Sequence, residues 1–444
     1  MSRIEDITNA LEKGRAIFEE VMNLDGVPAY AIDELYSPGN QDSKVETSQA
    51  KGIVTSADNL EYMEYLIKEE SMAGKIQMIY VDPPFFSNSK YQASVRLESD
   101  KLGKSPVIKT GAYDDTWEDS LEQYLTMLTV RFMLMRELLS DTGCIWVHLD
   151  WHGSHYVKLI LDEIFGYDNF VNEVVWTYKS GGASKKSFAR KHDTLLMYSK
   201  TKNYKFNPIK EKSYNRDMKP YRFKGVEEFQ DEKGWYTMVN MKDVWSIDMV
   251  GRTSKERTGY ATQKPEKLLE RILASCTDEG DICADFFAGS GTLGVVAEKM
   301  GRSWIMCDEG NVAVASQIER LCKIRKEDGS FCRPFVVART ARHPDEAVSR
   351  LVRCSEDMGV LRIRDYVPDL ITLSDADEEI ALEYLKNDSG ACISFWSVDS
   401  DYDGRVHRAH ELIGGTDFTT LPEGNLHVIG YDVFGNRFCW EKIV

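Results

Sequence analysis

At 444 residues the chain exceeds the usual single domain, and an ordinary 42% hydrophobic content allows a sizeable core, so one large catalytic domain with attached modules is expected. No run of about 18 apolar residues is present to span a membrane, the start Met1-Ser2-Arg3-Ile4-Glu5-Asp6 lacks an apolar signal core, and nine scattered cysteines without a Cys-x-x-Cys pair fit a reducing cytoplasm better than a disulfide framework. The net charge of -17 argues against a uniformly basic nucleic-acid binder, which turns attention to how the charge is distributed.

In chain order, residues 3–23 predict an amphipathic helix ending near Asp25-Gly26. Residues 37–49 read as a polar linker, 59–70 as a helix, and 76–81 (IQMIYV) as a buried strand. Residues 119–140 predict a long helix with Leu121, Tyr124, Leu125, Leu128, Phe132, Met135 and Leu138 on one face. A strand over 145–149 and a helix over 153–165 follow. Residues 178–257, rich in Lys, Ser, Tyr and Asn, break the alternation and are expected to form an insertion outside the core sheet. Alternation then resumes: a helix over 264–276 with Pro265 in its first turn, a strand over 282–286, a helix over 291–300, a strand over 304–307 and a helix over 311–325. This pattern predicts an α/β fold with a doubly wound, mostly parallel sheet. The expected divisions are 1–45 (helix and linker), 46–177 and 258–330 (two halves of the catalytic domain), 178–257 (insertion) and 331–444 (a separate acidic α+β module).

Charge supports these divisions. Residues 177–225 hold 14 Lys/Arg against three acids, a net of +11, whereas 331–444 hold 12 against 20, a net of -8. Tyr178, Tyr198, Tyr204, Tyr214 and Tyr221 interleave with the lysines, which suits phosphate contact and base stacking. A solvated lysine-rich face gives the same composition.

Two motifs carry chemistry. In Asp285-Phe286-Phe287-Ala288-Gly289-Ser290-Gly291-Thr292 a strand enters a glycine turn and a helix leaves it, so the backbone and a helix N-terminus can approach a ligand closely. Gly289, Gly291 and Gly294 satisfy G-x-G-x-x-G, and Asp308 ends the next strand, as an acid that binds ribose hydroxyls does. This points to a nucleoside-containing cofactor without saying which. The second motif, Asp82-Pro83-Pro84-Phe85, follows the strand 76–81. Two prolines stiffen the turn and remove two donors, leaving a carboxylate, the Pro83 carbonyl and an aromatic face. That set suits a planar ring bearing an amino group; the same tetrapeptide also serves as a plain strand-ending turn with Phe85 in the core.

Taken together, the ordered motifs resemble the β-class amino-methyltransferases of DNA, in particular the methylation subunits of type III restriction systems and their solitary relatives. The resemblance covers roughly residues 50–330 and includes Tyr113-Asp114-Asp115-Thr116-Trp117, His148-Leu149-Asp150-Trp151-His152, Lys191-His192-Asp193-Thr194-Leu195 and Thr258 through Pro265. It implies a Rossmann-like sheet in which the catalytic motif precedes the cofactor motif, a circularly permuted order. The insertion between them would be the target-recognition domain, and S-adenosyl-L-methionine the cofactor. Carried over by residue, Asp82 and the Pro83 carbonyl hold the target amino group, with Pro84 shaping the turn and Phe85 stacking on a flipped base. Asp285, Phe286, Phe287, Ala288, Gly289, Ser290, Gly291 and Thr292 wrap the cofactor. Asp308 takes its ribose, Gln263, Lys264 and Pro265 its methionine end, and Asp58 its adenine. Ala57 stands where the family often has glycine, Phe286 where it has proline, and Phe85 where tyrosine is commoner. Lys179, Lys185, Lys186, Arg190, Lys191 and His192 are the candidate contacts to double-stranded DNA. A restriction subunit and a second copy of the chain are further partners implied by the family.

The implied chemistry needs no covalent intermediate and no catalytic cysteine. Hydrogen bonds from both amino hydrogens would free a lone pair for in-line attack on a sulfonium methyl, so catalysis is positioning plus electrostatics. Asp82 favours adenine N6, since cytosine-N4 relatives often carry serine there. Cytosine-N4, RNA or protein amino groups, a nucleotide-dependent oxidoreductase and a non-catalytic DNA-binding subunit are the alternatives. His148, His152 and His155 do not share one helix, so no metal site is expected; Cys322 and Cys332 are expected to be inert. Segments 391–403 and 427–434 are expected to form a small sheet packed on the core or on another subunit.

Overall fold

The computed structural model describes residues 2–40, 45–99, 103, 105–117, 120–179, 185–326, 328–340, 352–356, 359–371, 373–415 and 417–442. Among these, eleven strands form one central sheet. In chain order they are β1 (Tyr30–Tyr36), β2 (Gly52–Ser56), β3 (Ile76–Val81), β4 (Leu139–Leu149), β5 (Phe170–Thr177), β6 (His192–Ser199), β7 (Val244–Ser246), β8 (Ile282–Asp285), β9 (Ser303–Asp308), β10 (Phe335–Thr340) and β11 (His407–Ala409). They lie in the order β7-β5-β6-β4-β3-β8-β9-β2-β10-β1-β11. The six strands from β4 to β10 are mutually parallel, while β6 and β1 run antiparallel to their neighbours in that block.

The sheet is covered on both faces, which is why β3 reads as an apolar run interrupted only by Gln77, with all six residues buried. Its side chains alternate. Ile79 and Val81 join Leu66 of α2 (Asn59–Lys68), Leu128 and Phe132 of α3 (Leu121–Leu138) and Ile160 of α4 (Ser154–Leu161). Met78 and Tyr80 join Ile272 of α5 (Glu266–Cys276), Val296 of α6 (Thr292–Lys299) and Ile318 of α7 (Asn311–Cys322). The N-terminal helix Arg3–Asn23 begins with a Ser2–Glu5 capping box and packs on α3. No described helix is long and apolar enough to cross a membrane.

Four expectations are corrected. Residues 178–257 are not wholly an insertion, because β6 lies inside the sheet between β5 and β4, with seven of its eight residues buried. What projects is a three-stranded antiparallel sheet of Lys210–Tyr214, Phe229–Asp231 and Gly234–Asn240. Residues 331–444 are not separate, since β10 pairs with β2 and β11 with β1. Strand β1 itself falls inside the stretch read as helix and linker. Its acids Asp33 and Glu34 hide its character, and both are met there by Arg339 and Arg437. Finally, α5 starts at Glu266 with Pro265 as its N-cap, which leaves Lys264 in the extended chain before the helix. Segments 391–403 and 427–434 do supply paired strands, Ile393–Asp399 and Leu426–Asp432, and Phe395, Ile429 and Tyr431 join the main core.

Candidate active site

Strand order turns around between β3 and β8: from β3 the chain crosses to β4 on one side, from β8 to β9 on the other. A crevice opens outside the carboxyl ends of strands at such a point. Four neighbouring strands, β3, β8, β9 and β2, deliver an aspartate to this edge: Asp82, Asp285, Asp308 and Asp58. They surround a cavity of about 290 Å³.

The loop after β3 is fixed from below. Buried Asp115 accepts hydrogen bonds from the amides of Phe85 (3.2 Å), Phe86 (3.1 Å) and Ser87 (2.7 Å), and from the Trp117 indole (2.8 Å). Phe86 and Asn88 take φ values of 64° and 51°, a backbone conformation side chains rarely adopt, and this clamp holds them there. The result presents Asp82, Pro83, Pro84 and Phe85 to the cavity. One Asp82 oxygen, Oδ2, accepts from the Lys264 ammonium, which also lies 5.4 Å from the Phe85 ring centre. The other, Oδ1, is buried with no hydrogen-bond partner among the described residues. His148 Nδ1 stands 3.8 Å from it, beyond hydrogen-bond reach. That ring is held by the Tyr80 hydroxyl at 2.7 Å and by Asp193 at 3.2 Å, and Asp193 accepts from Tyr178 at 3.0 Å. Burial works to raise the Asp193 carboxyl, but the hydrogen bond and charge of His148 outweigh it and hold it below the usual range.

The glycine half is equally specified. Gly289 and Gly291 have φ of 48° and 76°, so only glycine fits without strain. A Cβ on Gly294 would come within 2.5 Å of Met306 Sδ, so the third glycine serves the packing of α6 on β9. Asp308 accepts from the Gly289 and Gly310 amides, both at 2.8 Å, and burial pushes its carboxyl up to about 6. Burial likewise pushes Asp285 well above the carboxylate range, against a hydrogen bond from the Phe287 amide. Arg320 ties down the Ser290 carbonyl (2.8 Å) and the Thr292 hydroxyl (3.1 Å). Asp58 caps α2 and pairs with Arg131 at 3.1 Å, while Asn59 donates to the Phe286 carbonyl at 2.6 Å.

Most sequence-predicted residues meet in this cavity: Asp82 through Phe85, Asp58, Gln263, Lys264, Asp285 through Ser290, Thr292 and Asp308. Gly291 and Pro265 do not line it; the first begins α6 and the second caps α5. The Phe286 side chain is core, so it can offer a ligand only backbone. Gln263 spends its amide on Thr258 and the Glu256 carbonyl. Lys264 was expected at the methionine end of a cofactor and is found on the Asp82 carboxylate. Lys179, Lys185, Lys186, Arg190 and Lys191 lie on the connection from β5 to β6 and His192 opens β6, at the same sheet edge. Roles for Asp115, His148 and Asp193 were missed, although all three sit in motif segments already singled out. Arg131 was missed too; its signal is a charge within the apolar run of α3.

The two halves share one space. One offers an unpartnered carboxylate oxygen, a proline carbonyl and an aromatic face; the other offers a glycine turn at a helix N-terminus. That arrangement fits a nucleoside-bearing donor beside an amino-bearing ring.

The model of the DNA methylase family covering N6 and N4 enzymes matches residues 76–320. The Type II methyltransferase M2.LlaDCHI of Lactococcus lactis subsp. cremoris is 30% identical over 280 residues, spanning 63% of this chain and 92% of that protein. Among solved structures, the PvuII DNA methyltransferase (cytosine-N4-specific) superposes with a TM-score of 0.41 at 18% identity, over 67% of this chain and 90% of that one. The M1.HpyAVI–SAM complex does so with a TM-score of 0.39 at 17% identity, over 61% and 98%.

Proposed function

The chain belongs to the DNA methylase family, and from that premise we propose that it transfers a methyl group from S-adenosyl-L-methionine to N6 of an adenine flipped out of double-stranded DNA. The observation that carries this reading is Asp82, whose Oδ1 is buried without a partner beside the Pro83 carbonyl and the Phe85 ring. Leaving a buried acceptor unsatisfied costs about 1–3 kcal/mol, so such an atom is best explained by a donor that arrives with the substrate.

An exocyclic amine is a poor nucleophile because its lone pair is conjugated with the ring. Asp82 Oδ1 and the Pro83 carbonyl accept its two hydrogens and draw the nitrogen toward tetrahedral geometry. Lys264 fixes the carboxylate from its other oxygen, and Asp115 fixes the loop, so neither acceptor has to reorganise during the reaction. Phe85 stacks on the base. Asp58, Asp308 and the 285–292 turn hold S-adenosyl-L-methionine, which supplies an electrophilic sulfonium methyl. Asp82 Oδ1 is then the acceptor for the proton shed by the methylated nitrogen. Adenine is favoured by aspartate at position 82. Cytosine N4 is the second reading, supported by a matched family that spans both kinds of enzyme. Kinship with type III methylation subunits, a restriction partner and a homodimer are proposed on the ordered motifs alone.

The test is to incubate the protein with labelled S-adenosyl-L-methionine and unmodified mixed-sequence DNA, then digest to nucleosides. N6-methyladenine is expected. N4-methylcytosine alone overturns the adenine assignment, and label confined to RNA or protein overturns the substrate class.

A further inference from the structure

The connection between β5 and β6 leaves and rejoins the sheet at the edge that carries the catalytic loop. Its stem is closed by the Tyr178 amide, which donates to the Lys191 carbonyl at 3.1 Å. Two residues beyond the stem, Asp193 holds His148, which faces Asp82. The connection therefore stands beside the base-facing half of the cavity. On its described part the chain reads Lys185-Lys186-Ser187-Phe188-Ala189-Arg190-Lys191. Phe188 is 99% exposed, the most exposed large apolar side chain among the described residues. The Arg190 guanidinium lies 4.0 Å from the centre of the Trp151 ring, on the turn after β4. That turn abuts the catalytic loop: a Cβ on Gly153 would lie 3.4 Å from the Phe85 carbonyl oxygen.

An aromatic ring held in water within a cluster of cations, next to a base pocket, has one partner of matching chemistry. We propose that Phe188 is a wedge that enters the duplex as the target base leaves it and fills the stacking gap beside the orphaned partner base. This rests on the DNA reading above. The cations of the segment meet the phosphates on either side, and Arg190, braced on Trp151, sets the height of the ring over the cavity. Apolar side chains inserted between base steps offset the unstacking that extrusion requires.

The test compares two substrates, using a target duplex identified by sequencing the methylated DNA: the paired duplex, and the same duplex with an abasic position opposite the target base. Phe188→Ala is expected to slow methyl transfer to the paired duplex by about tenfold, which converts to about 1.4 kcal/mol. On the abasic duplex, where extrusion is easier, it stays within about twofold of the parental rate. Phe188→Trp retains transfer on both. A 2-aminopurine at the target position brightens on binding the parental protein and stays dark with Phe188→Ala. Equal loss on both duplexes, or no loss on either, overturns the wedge. If the parental protein labels no DNA, so that sequencing yields no target duplex, the DNA reading itself is overturned, and the wedge with it.

Discussion

Asp82 and Glu34 are both acids drawn out of water by one sheet, and their surroundings differ completely. Glu34 is fully buried in β1. Its Oε1 accepts from Arg339 (2.7 Å), Arg437 (2.7 Å) and the Tyr431 hydroxyl (2.8 Å), and its Oε2 from the Tyr36 hydroxyl (2.6 Å). Burial alone would raise its carboxyl; the two guanidinium groups and the hydroxyls outweigh that and hold it well below the usual range. Asp82 has one oxygen tied to Lys264 and the other buried without a hydrogen-bond partner among the described residues. A buried acid with every oxygen satisfied is a fastener, here joining the C-terminal strands to the sheet. In the function proposed above, Asp82, with one oxygen unsatisfied, is the receptor, and the fold bears its cost until substrate arrives.

The comparison breaks first, if it breaks, at Asp82. Asp82→Ala is expected to cut methyl transfer by about 10³-fold, the scale seen when a preorganised polar group is removed from a reacting centre. Its thermal midpoint should change little, because the unsatisfied acceptor is deleted while the buried Lys264 ammonium loses its counter-charge. A fall in the midpoint with transfer intact would make Asp82 the fastener. Glu34→Gln is expected to do the reverse, losing about 3 kcal/mol in urea unfolding because Arg339 and Arg437 each lose one of their two counter-charges and keep only Asp33. Transfer per folded molecule should be preserved. Lys264→Gln should fall between, with kcat lower by about 10²-fold and KM for S-adenosyl-L-methionine little changed, since its ammonium orients Asp82. A rise in that KM with kcat intact would return Lys264 to the methionine end of the cofactor.

The smallest effect concerns Asp308, whose carboxyl burial raises to about 6. The folded chain then binds more protons than the unfolded chain between the ordinary aspartate range and about pH 6. Stability from this group is fully present below that window and declines as pH rises through it. Relative to Asp308→Asn, the parental protein should lose about 2 kcal/mol between pH 4 and pH 6.5. A difference independent of pH would place Asp308 in water.

The chemistry-bearing turns were legible because they are local. A strand, a Pro-Pro turn with its acid, and a strand, a glycine turn and a helix are each complete within about ten residues, and both fell where expected. Strand β6 was not legible as sheet: it sits within a lysine-rich stretch, and its burial comes from β4 and β5 on either side. Nor was β1, since Asp33 and Glu34 become compatible with a buried strand only beside arginines some 300 and 400 residues later. The same distance effect hid Lys264 on Asp82, which lie 182 positions apart.

By itself the sequence determined the kind of chemistry, because the groups proposed to bind an amino-bearing ring and a nucleoside are carried by short segments whose backbone is set by proline and glycine. The tertiary structure alone decided which polar atoms are satisfied. Asp115 under the loop, Lys264 on one oxygen of Asp82 and no partner on the other are outcomes of the segments after Asp114 and before α5 meeting the loop after β3, and hydrogen-bond accounting of that kind exists only once distant residues share the same few ångströms.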